Sequence, residues 1–150
     1  MGAVVADVQF DYPELDLYHD GAYWVQDVET RAGADSGLVD ATSLADGYAD
    51  PSTETYTRSG TRPLAYTARG LEWGNPEEEQ RGPANTLELS LSGVESVAVW
   101  IDAAGLDPTE ELTVEAGTDA PATVILRGEF EDRTLNLEAG VSTLVVEPLA

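Results

Sequence analysis

Thr86-Leu87-Glu88-Leu89-Ser90-Leu91, then Gly93, then Ser96-Val97-Ala98-Val99-Trp100-Ile101 is the stretch that decides the fold. Leu87, Leu89 and Leu91 fall on one side of an extended chain, and Thr86, Glu88 and Ser90 on the other. A two-residue period of this kind is a half-buried strand with one wet face. Val97, Val99 and Ile101 repeat the period beyond Gly93 and leave Trp100 on the opposite face. The stretch reads as strand, Gly-Val turn, strand, the text of a hairpin.

The same text continues to the end of the chain. Ala103-Ala104-Gly105-Leu106-Asp107-Pro108 is a break. Leu112 and Val114 alternate before the turn at Ala116 to Pro121, and Ala122, Val124 and Leu126 alternate up to Gly128. Leu135 and Leu137 precede Gly140, and Leu144 and Val146 precede Pro148. Strands at this spacing, with Gly, Pro and Asp at the turns, predict an all-β fold. The expectation is a single β-sandwich, jelly-roll-like, with about eight to ten short antiparallel strands. Thr86 to Val99 is echoed by Thr134 to Val146, which reads as two hairpins using similar turn chemistry or, as the alternative, as duplication of a structural unit.

The first half is less regular. Val4, Ala6, Val8 and Phe10 alternate; Leu15 and Leu17, Tyr23 to Gln26, Tyr56, and Leu64 to Ala68 mark further strands. Between them, Glu29 to Pro51 has few apolar residues and reads as one long acidic loop. A loop of that length in a compact domain is functional or hides structure. Within it Asp40 is placed to cap a short helix through Ala45, ended by Gly47. Gly74 to Pro83 is a second exposed loop. One domain is expected over 1–150, with an irregular, aromatic-rich half at 1–74 and a regular strand-turn-strand half at 85–150.

Composition bounds the partners. Seven arginines, no lysine and 29 Asp plus Glu give a net charge of -22. Self-repulsion at that charge strains a compact fold in dilute buffer. In molar salt the Debye length falls to about 3 Å and the repulsion is screened. A cationic face for phosphate backbones is not expected from scattered arginines, so nucleic acid is set aside. No run approaches the ~18 apolar residues of a membrane helix, and Met1 to Asp7 lacks the pattern of a signal peptide. The chain reads as a virion or cytoplasmic protein without membrane insertion.

Catalytic constellations are missing from the text. Cysteine is absent and His19 is the one histidine, no Gly-x-Ser-x-Gly elbow occurs, and no phosphate-binding glycine motif follows a strand. Carboxylate pairs at glycosidase distances carry no information among so many acids. No cofactor is expected. Asp35, Asp40, Asp46 and Asp50, or Asp11, Asp16 and Asp20, are the acids from which a structural cation site would be built, but neither set has the EF-hand spacing. The aromatic residues concentrate in the first half. Tyr18, Tyr23, Trp24, Tyr48, Trp73 and Trp100 are the candidate contacts for a protein partner or a glycan, because rigid rings with a polar handle suit both.

The acid load, missing lysine and abundant Ala, Val, Thr and Gly resemble haloarchaeal proteins. Thr134 to Leu137 followed by Gly140 to Val146 resembles the closing hairpin of galactose-binding-like jelly-roll modules. A small acidic sandwich of this kind is similar to accessory virion proteins of haloarchaeal tailed viruses: head decoration, turret or tail components. That resemblance implies a non-catalytic structural or interaction protein that assembles as a homo-oligomer with itself and with other virion proteins. A carbohydrate-binding module, or a glycan-acting enzyme using two carboxylates, is the alternative.

Overall fold

The computed structural model describes residues 2–6, 21–47, 52–74 and 81–150. Among them are eleven strands: β1 Gly2–Ala6, β2 Val25–Thr30, β3 Leu38–Ser43, β4 Ser52–Gly60, β5 Tyr66–Gly74, β6 Thr86–Ser92, β7 Val94–Trp100, β8 Leu112–Thr118, β9 Ala122–Gly128, β10 Phe130–Leu137 and β11 Gly140–Val146. One sheet has the order β1-β3-β6-β8-β11, a second β10-β9-β7-β2, and β4 pairs with β5 alone. The all-β sandwich expected from the alternation is present. The two larger sheets face each other across one apolar core, with Leu87, Leu89 and Leu91 of β6 and Val97 and Val99 of β7 all in it.

The decisive stretch folds differently from a hairpin. β6 and β7 lie in different sheets, separated only by Gly93. One residue is too short a loop to fold two strands back onto each other in one sheet. The chain instead turns a corner and sends its inward residues into the core from both sides. Gly93 has φ 66, and a Cβ on it would collide with the carbonyl oxygen of Ser36. Only glycine fits this corner without strain.

β8 to β9 turns the same corner through Asp119, Ala120 and Pro121, and β10 to β11 turns it in reverse. The two forward arches stack. Thr86 stands beside Thr113 in one sheet and Ser96 beside Thr123 in the other, both pairings parallel and both a step of 27 residues. The centre of the sandwich is therefore a coil of constant pitch, flanked by antiparallel strands, and not antiparallel throughout. The sequence echo at Thr134 is a corner between sheets as well, because β10 and β11 share no pairing.

The expected acidic loop at 29–51 contains β3. Val39, Ala41 and Ser43 point inward and Leu38, Asp40 and Thr42 pair outward along β6, so the short helix from Asp40 to Ala45 is not formed. Two inward apolar residues are too few to show as periodicity. The alternation at Val8 and Phe10 and the strand at Leu15 and Leu17 lie outside the described residues.

Hydrogen bonds tie the corners together. The Asp119 carboxylate accepts from the Gly93 N–H at 3.0 Å and from Arg31 Nη2 at 3.2 Å, and Arg31 Nη2 also donates to the Val94 carbonyl at 3.0 Å. Three connections, β2 to β3, β6 to β7 and β8 to β9, thus meet at one side chain. At the other end Asn85 Nδ2 donates to the carbonyls of Asp107 and Glu111, and Asn85 Oδ1 accepts from the Asp107 N–H. This fixes the long connection that carries the chain from β7 back to β8.

Candidate functional site: an exposed ribbon and an aromatic sheet end

β4 and β5 form a ribbon with register Ser52↔Gly74 to Gly60↔Tyr66, paired to neither larger sheet. Its described side chains from Glu54 to Leu71 are exposed except at Gly60 and Gly70. Two cross-strand pairs brace it. The Tyr56 ring lies over Gly70 and the Tyr66 ring over Gly60, a use of rings to cover cross-strand glycines. The Arg58 guanidinium sits 4.9 Å from the Tyr56 ring centroid, within cation–π range.

The ribbon is also chemically separate from the body. Arg58, Arg62 and Arg69, three of the seven arginines, fall within it against Glu54 and Glu72. It is net positive on a chain of -22. Tyr56, Leu64, Tyr66 and Leu71 are large apolar side chains left in solvent on the same ribbon. The sequence marks strands at Tyr56 and at Leu64 to Ala68 and places these tyrosines in its aromatic half; the signal for a separate ribbon is the clustering of Arg58, Arg62 and Arg69 among seven arginines.

The second feature is the end of the four-stranded sheet where β2 begins. Ala22 and Val25 exchange two backbone hydrogen bonds, 2.8 and 3.0 Å, around Tyr23 and Trp24. Tyr23 has φ 55 and is 74% exposed; Trp24 is 4% exposed and packs in the core. The tight turn thus sends one ring out and the next ring in. Trp100 at the end of β7 donates its backbone N–H to the Trp24 carbonyl at 2.9 Å and is 38% exposed. Arg127 stands beside Trp100 in register and pairs with Asp27 and, at 3.2 Å, with Asp132. The hydrogen bonds that Arg127 donates, first to Asp27 and then to Asp132, raise its pKa. A shallow pocket of about 310 Å³ lies beside it, lined by Gly21, Ala22, Tyr23, Gln26 and Asp27.

Of the six residues singled out from sequence, Tyr23, Trp24 and Trp100 come together here, with Trp24 on the inside as core and therefore removed from the surface set. Trp73 stands opposite Thr53 on the ribbon. Tyr18 and Tyr48 lie outside the described residues, as do His19, Asp11, Asp16, Asp20 and Asp50. Among the described residues no group of three or more His, Asp or Glu comes together to hold a metal ion, and no helix is long and apolar enough to cross a membrane. Comparison of the chain with family models, with characterised proteins and with solved structures finds no match.

Proposed function

We propose that this chain is a non-catalytic structural or interaction protein adapted to high salt, a virion component of the head-decoration, turret or tail kind, assembling as a homo-oligomer. The observation that carries the reading is the ribbon Ser52–Gly74. Two-stranded ribbons are at best marginally stable alone in water, yet this one exposes Tyr56, Leu64, Tyr66 and Leu71. Apolar surface exposed on an element that pairs with neither sheet is surface to be covered by a partner. Arginine and tyrosine are the residues that interfaces favour, and acids the ones they shed. The acidic surface of another copy is a suitable counterpart once salt screens the repulsion between bodies.

The test is molar mass by light scattering on a sizing column in molar potassium chloride. A defined oligomer is expected for the natural chain, and a smaller species for Tyr66→Ala combined with Leu71→Ser. A monomer for the natural chain at every salt concentration rejects the reading. Tyr23 and Trp100, exposed at one sheet end beside a pocket, support a glycan-binding module as the second reading. A glycan array in high salt whose signals vanish in Trp100→Ala would favour it.

A further inference from the structure

β11 ends the five-stranded sheet, with β8 on one side and no strand on the other among the described residues. Gly140–Val146 contains no charged residue, on a chain whose net charge is -22. The corresponding end strand of the second sheet, β10, carries Glu131, Asp132 and Arg133, the usual guard of an open edge. β11 has no such guard. Val141 is 91% and Val145 61% exposed. Val141 stands beside Gly117, which has no side chain to shade it. Ser142 Oγ is buried and has no hydrogen-bond partner among the described residues.

We infer that β11 pairs antiparallel with β11 of a second copy, about a two-fold axis through Thr143, joining two five-stranded sheets into one. The composition selects this register. With Thr143 opposite the partner's Thr143, Val141 faces the partner's Val145 and Ser142 faces the partner's Leu144. β-branched residues stand opposite one another, and no carboxylate meets another within the seven paired residues. Pairing with β10 of a second copy would bring β11 against a strand that carries Glu131, Asp132 and Arg133. Pairing with β1 of a second copy would be heterologous and would leave one β11 edge open. A two-fold contact of this kind is self-complementary and closed. It uses none of the ribbon and is independent of the function proposed from it.

The chain has no cysteine, so each introduced thiol is unique. Directly opposed residues in an antiparallel pair have Cα atoms about 4.5–5.5 Å apart, inside the disulfide range of about 4.4–6.8 Å. Residues four positions off register are about 13 Å apart and beyond reach. The experiment is mild oxidation in molar potassium chloride of Thr143→Cys, Val141→Cys and Val145→Cys, with Glu131→Cys as the guarded-edge control, read on non-reducing gels. Thr143→Cys is expected to cross-link to itself. Val141→Cys and Val145→Cys are each expected to stay single-chain alone and to link when mixed. Val141→Lys with Val145→Lys is expected to keep the circular dichroism of the natural chain and to run at a smaller mass than the natural chain on the same sizing column. Thr143→Cys linking no more than the control, or Val141→Cys linking to itself, overturns the inference. If ribbon variants dissociate the oligomer while no β11 cysteine links, this inference fails and the proposed function stands.

Discussion

Asp119 is the side chain on which three connections depend. Its carboxyl is held below the ordinary carboxylate range, first by the hydrogen bond from Arg31 and then by the Gly93 N–H. A group whose folded pKa is lowered adds stability above its unfolded value and loses it as pH falls through the folded one. The unfolded value is about 3.9, so the loss belongs to more acidic solution than that. Asp119→Asn keeps one acceptor and no charge, and its stability deficit against the natural chain should shrink steadily as pH drops below about 4. A deficit that does not change with pH in urea titrations would disprove the clamp. Gly93→Ala is a stronger lesion, because the new Cβ meets both a left-handed backbone and the Ser36 carbonyl. A destabilisation of about 2–3 kcal/mol is expected from the strained backbone conformation, measurable by the same titration. Asn85→Ala removes three hydrogen bonds from the connection between β7 and β8. A cost of about 1–3 kcal/mol is expected from the backbone groups it leaves without partners.

At the scale of elements, alternation made the strands of the second half readable from sequence, since Leu87, Leu89 and Leu91 on β6 and Leu112 and Val114 on β8 declare which way each faces. It could not declare which strand lies beside which. A period of two says that a residue is inward, and it says the same for a hairpin and for an arch. The echo noticed in the sequence links Thr86 with Thr134, whereas the spatial neighbour of Thr86 is Thr113. The parallel rows do carry a 27-residue likeness, Thr86 beside Thr113, Glu88 beside Glu115 and Val97 beside Val124, but it breaks at Leu89 beside Ala116 and Leu91 beside Thr118, and the Gly-Val echo at Thr134 is the more conspicuous text. The candidate site was less legible still. Trp24 and Tyr23 are adjacent in sequence and indistinguishable by type; the reciprocal bonds between Ala22 and Val25 decide which ring goes in. Stacking of like charges is one visible cost of the parallel rows. Glu88 lies beside Glu115, and Arg81 pairs with Glu88, its pKa raised first by that hydrogen bond. Arg81→Ala should therefore lower thermal stability more in dilute buffer than in molar salt, which differential scanning at two salt concentrations would show.

For the whole molecule, the charge of -22 sets the conditions under which everything else holds. Unfolding temperature is expected to climb with potassium chloride and to level off once the Debye length is near 3 Å. Unchanged circular dichroism and melting temperature in dilute buffer would refute salt adaptation. Replacing Arg58 and Arg69 by Glu turns the ribbon from net positive to net negative, and the proposed oligomer should then dissociate at salt concentrations where that of the natural chain persists, as light scattering on a sizing column would show.

The constant 27-residue step has a consequence for how such a protein can change size. Each turn of the coil delivers one strand to each sheet at the same pitch. A tandem copy of one turn, inserted between β7 and β8, would widen both sheets by one strand, about 4.8 Å, while leaving the two outer strands of each sheet with their present neighbours. The molecule is built so that genetic duplication acts on it as a spacer of fixed increment.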